Sequence, residues 1–258
     1  MFSLDKWYLD LVTGDGIALI GYAAELRWHA LHLRYAAVLE SHPGTPPHER
    51  ATIRHSSPPE VTGDRIAWRC QPLHLQGEWR ALAPAIEATL LDGPAGTITW
   101  SCVMPRAFAS VESGTARHEG LGYVERLRLT LPPWDFPFRA LRWGRHLSVG
   151  HALVWIEWDG ELTRRWAWLD GRLQPSARVA GDGVEGLEDG LALRWQQGRD
   201  LRRRSVMETL REAAPLLVQR ATGRLGTMDE HKRLARSTLL ENGQPRDEGW
   251  AIHEEVTW

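Results

Sequence analysis

Glu125 is the residue of this sequence whose type and neighbours best suit it to chemistry. In the run Gly120-Leu-Gly-Tyr-Val-Glu-Arg-Leu-Arg-Leu-Thr-Leu131, strand alternation puts Tyr123, Glu125, Leu127, Leu129 and Leu131 on one face and Val124, Arg126, Arg128 and Thr130 on the other. Burial on an apolar face raises a carboxyl pKa, so the group can hold a proton near neutral pH and deliver it to an alkene or an ether oxygen. The competing reading is structural: Glu125 paired to an arginine such as Arg145 to pin a loop. Glu254, on the alternating run Trp250 to Trp258, poses the same choice.

A second meeting of charge and aromatic surface lies in Val149 to Val179, where Asp159-Gly160 and Asp170-Gly171 read as two-residue hairpin turns. Counting across the first turn pairs Glu157 with Leu162, Trp155 with Arg164 and Leu153 with Trp166, which makes Glu157 and Arg164 diagonal neighbours on a face shared with Trp155, Trp166 and Trp168. Counting across the second turn pairs Trp168 with Leu173. The polar row Arg172, Gln174, Ser176, Arg178 then makes Leu173, Pro175, Ala177 and Val179 the buried row. Unpaired ions on a buried face cost on the order of several kcal/mol, so Glu157 and Arg164 either line a wet cavity or form an ion pair near a barrel mouth.

Other apparent signals carry less. Gly181-Asp-Gly-Val-Glu-Gly186 spells GxGxxG, but a strand-like run follows where a helix N-terminus would have to hold a pyrophosphate. His29 and His32 lack a third ligand, and Cys70 and Cys102 have neither CxxC spacing nor a neighbouring histidine, so they read as buried thiols. No metal, nicotinamide or flavin cofactor is expected. The 31 basic and 33 acidic residues are scattered, leaving no single-sign field for nucleic acid or anionic lipid. Residues 1–6 lack the features of a secretory signal and no apolar run reaches the roughly 18 residues of a spanning helix, so the expected location is cytoplasmic with no membrane span. The sequence leaves the oligomeric state open.

The elements that must position these residues are mostly strands. Turn signals punctuate alternating runs as far as about residue 200, the pattern of an all-β, mainly antiparallel protein. Ile17–Trp28 and Leu31–Leu39 form a predicted hairpin that sets Trp28 opposite Leu31, Leu26 opposite Leu33 and Ala24 opposite Tyr35. Ile66-x-Trp68-x-Cys70 is echoed by Ile98-x-Trp100-x-Cys102, two related strands. Residues 41–64, rich in Pro, His and Ser, read as a surface loop or lid. Helical spacing is confined to 81–91, 203–220 and 229–240. The chain holds 14 Trp against 4 Tyr and 4 Phe, and large rings in such number suit a pocket for an apolar small molecule.

At Gly120-x-Gly-Tyr-x-Glu125, followed by Leu141-Arg-Trp-Gly-Arg145, the chain resembles the carotenoid 1,2-hydratase-like group of calycin proteins, with which tocopherol cyclase and some pericyclases share an architecture. The resemblance implies two lipocalin-like β units, placed here at 1–115 and 116–258 with a helical insertion around 203–240. It also implies cofactor-free acid chemistry on isoprenoid or polyketide substrates. Glu125 falls on the acidic position, and Trp143 to Arg145 on the Trp-Gly-Arg element. Carotenoid hydratases commonly show Asp-His-Asn where Glu125-Arg126-Leu127 stands, so what carries over is a β container with a buried acid.

The resulting expectation is a hydratase, cyclase or isomerase acting on a terpenoid, polyene or polyketide-like molecule. Glu125 is the general acid or base, Arg145 and Arg164 hold a carboxylate or developing negative charge, and Trp100, Tyr123, Trp143, Trp155, Glu157 and Trp166 line the site. The rival is a lipocalin-like carrier in which Glu125 is only structural. A third reading is an interaction protein with a solid core, which a cavity of a few hundred Å³ would separate from the other two.

Overall fold

A period of two in the sequence becomes antiparallel strand almost throughout the computed structural model, which describes residues 2–53, 57–205 and 229–257. The chain divides into two compact units, Met1–Asp135 and Phe136–Trp258. Among the described residues, helix is limited to three short 3-10 turns.

In the first unit the strands are β1 (Phe2–Val12), β2 (Ala18–Trp28), β3 (Leu31–Ser41), β4 (His48–Thr52), β5 (Glu60–Thr62), β6 (Arg65–Cys70), β7 (Leu75–Ala81), β8 (Ile86–Gly93), β9 (Gly96–Ser113) and β10 (Ala116–Leu129). They form one sheet in the order β4-β3-β2-β1-β10-β9-β7-β6-β5, with β8 also paired to β9. The second unit repeats the plan with β11 (Ala140–Ser148), β12 (Ala152–Asp159), β13 (Arg164–Leu169), β14 (Arg172–Leu173), β15 (Arg178–Ala180), β16 (Gly183–Glu185), β17 (Leu191–Trp195), β18 (Arg199–Ser205), β19 (Asp229–Glu241) and β20 (Gln244–Thr257). Their order is β14-β13-β12-β11-β20-β19-β17-β16-β15, with β18 added on β19.

The β2–β3 hairpin has the expected register, Trp28 opposite Leu31 and Ala24 opposite Tyr35. Other expectations give way. Residues 86–93 are strand, not helix, because Ile86, Ala88 and Leu90 turn inward against β9 while Glu87 and Thr89 face solvent. Residues 229–240 are strand as well: β19 is hydrogen-bonded on both sides, and ladder pairing with β20 and β17 outweighs a weak helical spacing. Of the expected helix over 203–220, residues 203–205 belong to β18 and 206–220 lie outside the described residues. A division at 115/116 would cut the β9–β10 hairpin. The break comes after Asp135 instead, because β10 is bonded between β1 and β9.

The register of the β12–β13 hairpin also differs from the two-residue count. Trp155 faces Ala167, Glu157 faces Arg165 and Trp158 faces Arg164. Leu162 donates its N–H to the Pro137 carbonyl at 2.8 Å, so residues 160–163 form a longer loop rather than a tight turn. The slip is odd, and Trp166 and Trp168 therefore lie on the opposite face from Trp155. Trp168 does meet Leu173, but that third strand is only two residues long. Leu173 and Pro175 are exposed and Gln174 buried, its side-chain oxygen accepting the Glu188 N–H at 2.9 Å, so the expected inner row fails at its start, while Ala177 and Val179 do join the core.

Each sheet carries an apolar core on one face. Trp7, Leu9, Leu11, Trp68, Trp79 and Val111 belong to the first; Leu153, Trp155, Leu169, Leu193 and Leu239 to the second. Indoles fill these cores by lying over glycines. A Cβ at Gly21 would come within 2.5 Å of the Trp68 ring, and one at Gly144 within 2.2 Å of the Trp155 ring. Gly21→Val is expected to lower the unfolding free energy by about 1–3 kcal/mol through overpacking. A urea midpoint equal to that of the wild type would show that Trp68 does not occupy this space.

Candidate functional site

Glu125 sits in the centre of the first sheet, opposite Tyr8 of β1 and Cys102 of β9. The face it occupies points away from the apolar core. Its neighbours are nonetheless buried, Tyr8, Asp10, Tyr22, Cys102 and Tyr123 being each 4% exposed or less, and Glu125 itself is half-buried. Two sequence features build it. Gly120 and Gly122 let β10 approach β1, since a Cβ at Gly120 would fall 2.2 Å from the Val12 carbonyl oxygen and one at Gly122 2.6 Å from that of Asp10. The β9–β10 register then slips twice opposite Tyr123 and Glu125, an irregularity of the kind that re-aims side chains beside functional sites.

The carboxylate is held from two sides. Glu125 Oε2 accepts the Trp100 indole N–H at 2.6 Å and the Tyr123 hydroxyl at 2.7 Å. Both are short. Burial, together with the neighbouring Cys102 and Glu125, pushes the Tyr123 hydroxyl well above its ordinary pKa. Burial likewise raises Cys102, so both stay protonated near neutral pH. Beyond Tyr123 the rings continue edge-on, Tyr8 at 6.0 Å and Tyr22 at 5.5 Å from Tyr8, with the Lys6 ammonium 5.2 Å from the Tyr22 ring. Three residues singled out from sequence, Trp100, Tyr123 and Glu125, are thus brought together. The arrangement can take up or release a proton at Glu125 and offers π faces to a cation.

The second unit places its candidates less uniformly. Trp143 and Arg145 lie on the face of β11 opposite to the apolar core, with Arg145 wholly buried and donating to the Trp250 carbonyl at 2.7 Å. Trp166 is on that face too, half-buried and edge-on to Trp158 at 4.9 Å. Arg164 is exposed at the start of β13. Trp155 faces the core, stacked on Trp195 at 5.5 Å. Glu157 pairs not with Arg164 but with Arg142 at 2.9 Å and Arg165 at 3.0 Å, as its true register requires.

Sequence reasoning missed Lys232. Its ammonium is 2% exposed, ion-paired with Glu254, 3.6 Å from Glu230 and 5.6 Å from the centre of the Trp143 ring. Reading 229–240 as a strand would have placed Lys232 opposite Glu254 and found the pair. His146 was missed as well. It is fully buried, with Nδ1 2.7 Å from the Ser237 hydroxyl, and burial followed by the Arg145 charge lowers its pKa to about 3.

Among the described residues two cavities of the first unit stand out, and Glu125 lines neither. One, of about 880 Å³, opens on the solvent face of β6, β7, β9 and β10 among Arg65, Glu78, Arg80, Phe108 and Ser110. The other, of about 200 Å³, lies among Asp5, Trp7, Ala23, Arg34, Pro58 and Arg126. Among the described residues no group of three or more His, Cys, Asp or Glu is arranged to hold a metal ion. Nor is any helix among them long and apolar enough to cross a membrane.

No family model and no curated protein matches the sequence. Solved structures do. An AttH protein of Nitrosomonas europaea is 14% identical with a TM-score of 0.62, the match covering 99% of this chain and 92% of that one. CghA, solved with Sch210972, is 12% identical with a TM-score of 0.58 over 99% and 88% of the two chains. Kievitone hydratase of Nectria haematococca is 9% identical with a TM-score of 0.54 over 98% and 88%. At such identities the likeness is one of fold, a calycin-like pair of β units.

The buried imidazoles set an acid limit. Folded His146 titrates at about 3 and an unfolded histidine at 6.5, so between these values the unfolded chain binds the proton and the folded chain does not. Stability therefore falls as the pH drops from 6.5 toward 3. His253, lowered to about 4 mainly by burial, adds to the effect. His146→Asn is expected to flatten the plot of unfolding free energy against pH between 6.5 and 4; a slope identical to that of the wild type would show that His146 is not held neutral.

Proposed function

We propose that this protein is a cofactor-independent hydratase, cyclase or isomerase of an apolar small molecule, terpenoid, polyene or polyketide-like, with Glu125 as its proton-transferring group. The observation that carries the proposal is the cluster in which half-buried Glu125 accepts at Oε2 from the buried Trp100 and Tyr123. Two donors on one oxygen fix the orientation of the carboxylate, which is what a group must have to act on one particular proton. Tyr123, kept protonated by burial, holds the carboxylate through its hydroxyl rather than exchanging its own proton. The fold is shared with kievitone hydratase, which by name performs a hydration, and with CghA, which is solved with the small molecule Sch210972.

A carrier function is the second reading, favoured if the Trp100–Glu125 hydrogen bond only ties β9 to β10 and that of Tyr123 only braces β10. Mass spectrometry of a solvent extract of purified protein identifies a copurifying ligand, and that molecule and its close precursors become the assay substrates. Glu125→Gln keeps the shape and removes the proton transfer. It is expected to lower turnover by roughly 10²-fold or more while leaving ligand affinity, read by tryptophan fluorescence, within about threefold. Unchanged turnover in a folded variant would remove Glu125 from the chemistry, and binding with no turnover in the wild type would establish the carrier.

A further inference from the structure

The inner face of the first sheet changes character toward the start of β1. In adjacent register, Asp5, Glu25 and Arg34 make one charged tier; Trp7, Ala23 and Ala36 the next, with Arg126 opposite Trp7; and Leu9, Gly21 and Val38 the one below. From the third tier inward the space is taken by Trp68 over Gly21. Above it, Ala23 opposite Trp7 leaves room, and the result is the cavity of about 200 Å³. Pro58 closes one side, and the Trp68 indole N–H holds the neighbouring Ser57 carbonyl at 2.9 Å.

The walls of this cavity specify an occupant. Trp7 is 5% exposed and Ala23 2%, so the floor is apolar and aromatic. The Arg126 guanidinium lies 5.0 Å from the centre of the Trp7 ring and is neutralised by Asp5, with Nε donating to Oδ1 at 2.8 Å. The Glu25 carboxylate, in contrast, is shared: Arg27 reaches it at 2.6 Å, His32 at 2.7 Å and Arg34 only at 3.7 Å. Arg34 is therefore the cation on the rim that is held loosely, beyond hydrogen-bonding distance, and it lines the cavity. A volume of roughly 150 Å³ accommodates benzene. A slightly larger, partly open one suits a planar ring with one substituent.

We infer that this cavity is a binding site for a small planar aromatic or conjugated carboxylate, its ring over Trp7 beside Pro58 and Ala23 and its carboxylate on the Arg34 guanidinium. The site is separate from Glu125, and it stands whether or not Glu125 transfers protons. Two residues divide the recognition: Ala23 supplies the space and Arg34 the charge. The pairing of a guanidinium with a carboxylate is directional and charge-assisted, so its loss should be felt by the anion and not by a neutral analogue of the same shape.

The probe is indole-3-carboxylate, with indole as the neutral control, titrated into the full chain and followed by calorimetry and by heteronuclear NMR. Saturable binding of the carboxylate with a dissociation constant below about 1 mM is expected. Arg34→Gln, at a side chain that is about half exposed, should weaken the carboxylate roughly 10-fold and leave indole unchanged. Ala23→Leu should abolish both by filling the space; if that variant does not fold, Arg34→Gln with its indole control decides alone. No saturable binding up to several millimolar, or binding indifferent to Arg34→Gln, overturns the assignment.

Discussion

Trp79 is the contact on which much of the first unit turns. Its ring occupies the space that Gly77 and Gly122 leave empty, where added Cβ atoms would come within 2.5 Å and 2.8 Å of it. Its indole N–H, buried with it, donates to the Asp10 carbonyl at 2.7 Å. A buried N–H without a partner would cost on the order of 1–3 kcal/mol, so this bond fixes where the ring can lie. The ring in turn clamps β7 against the β1–β10 pair. Tyr8, Asp10, Tyr123 and Glu125 belong to that same pair and project from its other side. The acid is therefore positioned by the solid core behind it.

Both units carry polar chemistry on the face that does not hold the apolar core. Asp10, Tyr123 and Cys102 do so in the first, and Arg145 and Lys232 in the second, all 2% exposed or less. An antiparallel sheet usually gives one face to water and reads as a clean alternation of polar and apolar residues. Here both faces of the central strands are buried, and β11 and β12 show the result: Trp143 to Ser148 and Ala152 to Trp158 are continuously buried. Buried polar groups on such a face must be satisfied by specific partners, as Tyr123 is by the half-buried Glu125 and Lys232 is by Glu254.

This double burial also explains what could be read from the sequence. The all-β class, the β2–β3 register and the shared face of Tyr123 and Glu125 follow from alternation and local turn chemistry, both of which are written in short windows, whereas the meeting of Trp100 with Glu125 needs the β9–β10 pairing. The echo of Ile66-Trp68-Cys70 in Ile98-Trp100-Cys102 is real as strand but not as environment. The first set packs in the apolar core, whereas Trp100 turns its N–H to Glu125. Lys232 and the true partners of Glu157 were hidden for a different reason. They depend on which strand pairs with which and on a loop held by a carbonyl distant from the turn itself, and neither is encoded in the spacing of neighbouring residues. Most of the Trp residues of the two cores pack over glycine or over one another, so ring count alone overstated the room inside.

The loop between β12 and β13 has a consequence for how this sequence can vary. Because Leu162 is anchored to Pro137, the loop sets not only how far the chain travels but which of two environments every residue of β13 enters. Arg165 reaches Glu157 and Ala167 faces Trp155, while Trp166 and Trp168 go to the other side. Gaining or losing two residues there would slide the strand and keep each side chain's surroundings in kind. Gaining or losing one would send two indoles into a core with no glycine to receive them. Length variation among descendants of this chain should therefore come in steps of two at this loop, a parity rule imposed by packing on evolution.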